Sequence, residues 1–320
     1  MQTILITGGT GLVGSALTKL LVNKGYQVII LTRRSKPAEG PVSYAEWDPA
    51  AGTIDVKAVQ QADMIVHLAG ANVGEKRWTK KRKQEILDSR VKSANLIVQT
   101  LQSNPNKCRA VISASAIGWY GDDKLRPAGK TMFTEEAPAD TEYLGATCRE
   151  WEESIQPVTD MGKRLVILRS GIVLSNHSGA FPSFKKPVKM GFAAILGNGR
   201  QVISWVHIED AARLYLYAIE NENLQGIYNA VAPQPATNEN LTITLAQKIK
   251  GKFFISINVP SFLLKIVLGE MSVEVLKSAT VSSAKISKAG FQFLYPTINV
   301  AIDSLIGIKN PAAKRTGAGE

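Results

Sequence analysis

Residues 4–14 read Ile-Leu-Ile-Thr-Gly-Gly-Thr-Gly-Leu-Val-Gly, an apolar run that enters a turn with glycines at 8, 9, 11 and 14. No other stretch constrains the fold as strongly. A tight turn without Cβ atoms that opens a helix leaves the first helical N–H groups facing the turn. A pyrophosphate can approach such a turn and be held by those donors, so the segment reads as a dinucleotide cradle. Gly9, Gly11 and Gly14 satisfy G-x-G-x-x-G, and Thr7, Gly8, Gly11 and Gly14 satisfy T-G-x-x-G-x-x-G. Glycine spacing alone is a weak signal, but the context is right. An apolar strand precedes the turn, Val13, Leu17, Leu20 and Leu21 follow at helical spacing, and Gly25 fits the helix stop.

Short runs rich in Val, Ile and Leu recur at residues 3–7, 27–32, 64–68, 110–115 and 165–169. Helical patterns lie among them at 16–23, 80–102 and 144–157. Continuous apolar strands alternating with helices predict a Rossmann-type, doubly wound parallel α/β sheet covered on both faces. Residues 175–199, rich in Gly, Pro, Lys and Phe, read as irregular with one short helix; a helix returns at 210–220. A smaller C-terminal α/β unit on the substrate side is expected, with helices near 241–250, 261–276 and 297–306 and a strand near 253–259. The expected division is 1–230 for the nucleotide domain, with 171–205 partly contributing to the substrate side, 231–308 for the small domain, and a flexible tail at 309–320.

With 320 residues, 45% of them hydrophobic, the chain can bury a large core. No apolar run reaches the ~18 residues of a membrane span, and no cleavable leader pattern precedes the first strand, so a cytoplasmic protein is expected. Cys108 and Cys148 lack metal-ligand spacing, and no metal site is expected. The net charge of +11 raises the question of nucleic acid. Lys76, Arg77, Lys80, Lys81, Arg82 and Lys83 cluster, but with Trp78 as the sole interleaved aromatic they read as a solvated helix start. The expected partner is a small-molecule substrate, with homodimerisation left open and neither nucleic acid nor membrane involved.

The second strand ends Leu31-Thr32-Arg33-Arg34, where an acidic residue would grip a ribose 2′-hydroxyl. Two guanidinium groups stand there instead, and they suit the adenosine 2′-phosphate through charge-assisted hydrogen bonds. NADP(H) is therefore expected over NAD.

Further motifs are His67-Leu68-Ala69-Gly70, Ser113-Ala114-Ser115, Trp119-Tyr120-Gly121, Arg77-Trp78, Ser89-Arg90, Trp151-Glu152 and Arg169-Ser170-Gly171. Gly197-Asn198-Gly199-Arg200-Gln201, Ser204-Trp205-Val206-His207 and Tyr295-Pro296 follow. With these the chain resembles the extended short-chain dehydrogenase/reductases, over about residues 1–305. Within them it is similar to the epimerase-like NADP-dependent oxidoreductases that carry a small C-terminal domain. The resemblance implies cofactor contacts at Gly8, Thr10, Gly11, Leu12, Val13 and Gly14, at Thr32, Arg33 and Arg34, and at Leu68 and Ala69. It adds Glu85, Arg90 and Val173, although Glu85 and Arg90 read equally well as a surface ion pair. Enzymes of this superfamily pair a Ser or Thr with Tyr-x-x-x-Lys. Ser115 matches the serine, but Leu144 and Cys148, or Tyr143 and Thr147, occupy the dyad positions. Tyr120 and His207 are the candidate replacements, with Glu135 and Tyr143 behind them; an unperturbed histidine suits proton transfer at neutral pH. Sugar-nucleotide enzymes commonly carry an arginine where Ile203 stands, with Arg200 three residues earlier. Three readings follow: an oxidoreductase acting on an unidentified carbonyl or alcohol, a nucleotide-sugar epimerase or dehydratase, and a non-catalytic NADP-binding regulator or scaffold.

Overall fold

The structure is a computed structural model that describes residues 1–34 and 36–308; the tail expected at 309–320 lies outside the described residues. In chain order the strands are β1 (Thr3–Thr7), β2 (Gln27–Thr32), β3 (Val42–Asp48), β4 (Thr53–Ile54), β5 (Met64–His67), β6 (Ala110–Ala116) and β7 (Arg164–Ser170). They continue as β8 (Ile172–Leu174), β9 (Phe192–Leu196), β10 (Val202–Ile203), β11 (Trp205–His207), β12 (Gly226–Ala230), β13 (Ala236–Thr237) and β14 (Ile255–Val259). The helices used below are α1 (Leu12–Asn23), α2 (Val56–Gln61), α3 (Lys80–Ser103), α4 (Tyr143–Ile155), α5 (Phe181–Lys189), α6 (Ile208–Glu220), α7 (Asn238–Lys250) and α8 (Ser261–Leu268).

Two compact units share the chain discontinuously. The first takes Met1–Gly121, Pro138–Ser170 and Ala211–Tyr228; the second takes Asp122–Ala137, Gly171–Asp210 and the chain from Asn229 on. A single cut near residue 230 describes the sequence, whereas compactness exchanges segments such as 122–137 across it.

The first unit is built on an eight-stranded sheet in the order β12-β7-β6-β5-β1-β2-β3-β4. β1 lies parallel to both β2 and β5, so Thr7 has Leu31 on one side and His67 on the other. From β1 the chain winds one way through β2 and β3 and the other way through β5, β6 and β7. The crevice outside the strand ends at such a reversal is where doubly wound sheets take ligands. Leu5, Ile65, Val111 and Ile167 pack in one cluster with Ala94, Ile97 and Leu101 of α3 and Ile155 of α4, which fixes the sheet against those helices. α3 starts where expected because the Thr79 hydroxyl accepts the Arg82 N–H at 3.1 Å, an N-cap. β3 escapes the apolar-run reading. Its sequence, Val-Ser-Tyr-Ala-Glu-Trp-Asp, mixes polar and apolar positions because only Ala45 and Trp47 are buried this close to the sheet edge.

In the second unit Trp205, Phe181, Leu241, Leu245, Ala301 and Ile302 form the core. The expected irregular stretch 175–199 holds α5 and then β9, which pairs in parallel with the distant β14. The pairing is non-local, so no turn signal announces it. Among the described residues no helix is long and apolar enough to cross a membrane.

Candidate functional site

The glycine turn owes its shape to what surrounds it. Gly8 sits at φ +67°, and a Cβ there would lie 2.9 Å from the Leu68 carbonyl carbon and oxygen. A Cβ on Gly14 would run into the Gly8 oxygen and the Gly9 backbone, so Gly14 lets α1 pack directly on the turn. α1 begins at Leu12 behind the N-cap Gly11, with no side-chain cap and no acidic residue in its first turn. Its opening N–H groups are left for an anion. A side chain at Gly9 would meet Ile30. These are the features of a backbone kept bare for a close ligand.

Beside the turn lies a cleft of about 1330 Å³, wholly within the first unit. Gly8, Thr10, Gly11, Thr32, Arg33, Arg34, Leu68, Ala69 and Glu85 line it. Leu12, Val13 and Gly14 do not: Leu12 and Val13 open α1, and Gly14 packs against the turn. Arg33 and Arg34 are exposed at the end of β2, and Lys36 joins them on the wall. Trp47 and Asp48, at the end of the unforeseen β3, also line the cleft. Asp48 Oδ1 accepts the Ala50 N–H at 2.9 Å, which shapes the turn after the strand.

A buried neutral network holds the cleft floor. Thr7 Oγ1 accepts the N–H groups of Leu68 and Ala69, each at 3.1 Å, so its own proton points to His67 Nδ1 at 2.8 Å. His67 then carries its proton on Nε2, 3.3 Å from Ser93 Oγ, and Ser93 donates to the Ser89 carbonyl oxygen at 2.7 Å. Full burial, helped by the Arg90 charge, pushes the His67 pKa down to about 3, so the ring is neutral. Thr7 and His67 stood in the sequence motifs; their partnership, 60 residues apart, did not show.

Arg90 and Glu85 behave differently from expectation. Arg90 is buried against the Trp151 ring at 4.9 Å and donates to the Ala71 and Ile86 carbonyls at 3.1 and 2.9 Å. It clamps the loop after β5 and does not line the cleft. Glu85 pairs with Arg82 at 2.9 Å, not with Arg90, and that contact holds its carboxyl below the usual carboxylate range. Arg82 is 6% exposed and also reaches the Asn72 carbonyl at 2.6 Å and Glu75 at 3.3 Å, tying the loop to α3. The charge run at 76–83 predicts a solvated Arg82, and the i,i+3 spacing to Glu85 is the one sequence signal of the pairing seen.

Ser115 and Tyr120 enter a second, ionic network. The Ser115 hydroxyl donates to Glu152 Oε1 at 2.6 Å, and Arg169 grips both oxygens of that carboxylate at 2.8 Å. Arg169 also donates to the Tyr120 hydroxyl at 3.1 Å and stacks 3.6 Å from the Trp119 ring centre. Ser115 is 3% exposed and Tyr120 1%. Ser115, which matches the serine of the superfamily's catalytic set, has its proton already given to Glu152. At the dyad positions, burial pushes the Cys148 thiol up to about 11, and Tyr143 donates to the Lys83 carbonyl at 3.0 Å while Thr147 bonds back to Tyr143. Neither pair supplies an activated phenol.

His207 and Val173 belong to the second unit, where they sit on the paired strands β11 and β8. His207 Nδ1 accepts the Glu209 N–H at 3.2 Å, and the ring lies 3.7 Å from that of Tyr295. Its Nε2 is buried with no partner among the described residues. Desolvation drives its pKa down to about 4, so the neutral-pH titration expected of it is lost. Glu135 holds the Asn229 N–H at 2.8 Å in the same unit. Among the described residues no group of three or more His, Cys, Asp or Glu could hold a metal ion.

A parallel sheet whose first strand feeds a bare glycine turn, an uncapped helix start and a cleft at the reversal of strand order has the NAD(P)-binding Rossmann architecture. The family model of the NAD dependent epimerase/dehydratases matches residues 4–230, and that of a domain of unknown function, DUF1731, matches 259–305. The chain belongs to the NAD dependent epimerase/dehydratase family, in the form that carries this C-terminal domain. Epimerase family protein YfhF of Bacillus subtilis is 34% identical, over 95% of this chain and 98% of its own. The crystal structure of human epimerase family protein SDR39U1, solved with NADPH, is 28% identical, covers 96% of this chain and 99% of its own, and superposes with a TM-score of 0.83. The nucleoside-diphosphate sugar epimerase from Corynebacterium glutamicum is 31% identical with a TM-score of 0.75; the match covers 96% of this chain and 58% of that one.

Proposed function

We propose that the chain binds NADP(H) in the cleft of its first unit and acts as an oxidoreductase on a carbonyl or alcohol. The observation that carries this reading is the cationic end of β2: Arg33, Arg34 and Lys36 line the cleft, β2 itself carries no carboxylate, and Asp48 at the end of β3 already accepts the Ala50 and Ala51 N–H groups. Guanidinium groups there match a 2′-phosphate and leave a bare ribose without its usual acceptor. The NADPH in the SDR39U1 structure supports the same choice. A bound nicotinamide would supply or take the hydride. Gly8 and Gly11 would admit the pyrophosphate to the first N–H groups of α1, including those of Leu12 and Val13. Thr7 and neutral His67 hold the backbone of Leu68 and Ala69 beside the ribose, with no charge competing for the phosphates. Glu85 would approach the cofactor from α3, and Arg90 would act behind it by fixing the Gly70–Ala71 backbone.

In the first unit the chemical step places its demand on Ser115 and Tyr120. For Ser115 to polarise a substrate oxygen, its hydroxyl must turn from Glu152, leaving the carboxylate to Arg169. Tyr120 would then contribute its Arg169-bound phenol. His207 belongs to the second unit and would offer a neutral Nε2–H donor there. A second reading, a non-catalytic NADP-binding regulator, is favoured by that same Ser115–Glu152 bond. The nucleotide-sugar reading has the Corynebacterium protein's name in its favour. Against it, the slot for the diphosphate-binding arginine holds Ile203, which is buried and paired to Ala236. Single-turnover NADPH oxidation with a panel of aldehydes, ketones and nucleotide-sugars separates the three. Carbonyl-dependent oxidation lost in Ser115→Ala and reduced in His207→Gln supports the oxidoreductase. Sugar interconversion without net oxidation supports the epimerase, and tight NADPH binding with no reaction supports the regulator.

A further inference from the structure

The second unit carries an apolar surface that its own core leaves uncovered. On β9 Phe192 is 41% exposed, on β14 Ile255 is 62% and Ile257 41%, and Phe253, two residues before β14, is 88% exposed; on α8, which follows β14 after a single proline, Phe262 is 62% exposed and Ile266 65%. These side chains expose on the order of 800 Å² of apolar surface, more than a monomer's largest patch usually holds and about one side of a standard interface.

The backbone shows how it can be covered. β14 has a neighbour, β9, on one side alone among the described residues. Ile255 donates its N–H to Gly191 at 2.9 Å, and the Val259 carbonyl accepts from Gly197 at 2.9 Å, so residues of that parity face β9. The N–H and C=O groups of Ser256 and Asn258 therefore point to the open edge. Unpaired edge groups beside exposed Ile and Phe form a template for another strand.

We propose that this edge pairs with the same edge of a second copy, antiparallel about a two-fold axis at Ile257. The strand is self-complementary in that register. Ser256 and Asn258 of opposite copies form hydrogen-bonded pairs, Ile255 faces Val259, and Ile257 meets its own image as a close, non-hydrogen-bonded pair. The result is a continuous sheet in the order β9-β14-β14-β9. Charge fits as well. Ile255–Val259 contains no charged residue, and the nearest preceding cation, Lys252, lies five residues from the axis. At about 3.4 Å per residue the two Lys252 side chains are roughly 30 Å apart, well beyond screening distance. An anionic membrane is the competing occupant, but it would leave the Ser256 and Asn258 backbone groups unpaired.

The test uses the full chain. Sedimentation should give twice the chain mass at micromolar concentration. Ile257→Lys, which sets two cations face to face on the axis, should give the chain mass with an unchanged circular dichroism spectrum. Ile257→Cys should become a disulfide-linked dimer on mild oxidation, whereas Ser256→Cys, which does not face itself, should not; the native Cys108 and Cys148 are buried. A wild-type monomer, a dimer that survives Ile257→Lys, or equal cross-linking at 256 and 257 overturns the proposal. So does a wild-type monomer that sediments with phosphatidylserine vesicles, the result a membrane surface would give.

Discussion

The Thr7–His67–Ser93 network and the Ser115–Glu152–Arg169–Tyr120 network both lie buried in the first unit, at the ends of neighbouring strands. The first stays neutral: a hydroxyl, an imidazole and a hydroxyl share protons in one direction and hold the backbone that borders the cleft. The second keeps a full charge pair inside, with the carboxylate bridged by both arms of one guanidinium. A neutral network can support a phosphate-binding surface without altering its field. A buried ion pair is held by mutual attraction and locks whatever hydrogen-bonds to it, here the serine that a reductase of this superfamily would use. The difference teaches that the neutral network leaves the backbone it holds open to the cleft, while two of the residues expected to run a reaction, Ser115 and Tyr120, are engaged in one buried ionic network.

Breaking the ionic network should have the largest effect. Glu152→Ala leaves Arg169 buried without its counter-charge and should lower unfolding free energy by about 3–5 kcal/mol in denaturant titrations. A loss below about 1 kcal/mol would mean that the pair is weakly engaged.

The neutral network should reveal itself through pH. His67 is neutral in the fold down to a pKa of about 3, against 6.5 when unfolded, so the unfolded chain takes up protons first as pH falls. Stability should drop by about 1.4 kcal/mol per unit below pH 6.5, reaching a total of roughly 4 kcal/mol near pH 3.5. His207, depressed to about 4, adds a second contribution over a shorter window. In His67→Gln the slope of stability against pH should fall by one proton, whatever the absolute stability; an unchanged slope would show that His67 does not titrate this way.

Ser115→Ala should act least on the fold. It removes one hydrogen bond to a carboxylate that keeps its arginine, at about 1.5–2 kcal/mol by the same titration, and should leave NADPH affinity unchanged. A loss of affinity would place the serine nearer the cofactor than its bond to Glu152 implies.

The strands around the glycine turn were legible because central parallel strands need near-continuous apolar runs, and 3–7, 27–32 and 64–67 have them. β3 was not, since a strand near the sheet edge tolerates Ser43, Tyr44 and Glu46. The cleft's cationic corner could be read from Arg33 and Arg34 because it sits at a fixed distance after the turn. The partners of Ser115 could not. Glu152 and Arg169 lie 37 and 54 residues further on, and the contact depends on how α4 and β7 pack beside β6. Arg90 carried the same ambiguity: a basic residue on a helix is solvated or clamped according to what lies across from it, and here Trp151 and the Ala71 carbonyl lie across from Arg90.

The central claim is that the cleft is a site for NADP(H) held by the β2 end. Fluorescence titration of the wild-type chain and of Arg33→Asp with NADPH and NADH tests it most directly. The wild type should bind NADPH at least ten-fold more tightly than NADH, and Arg33→Asp should weaken NADPH and reverse the preference. Equal affinities in the wild type, or an NADPH affinity untouched by Arg33→Asp, would contradict the account.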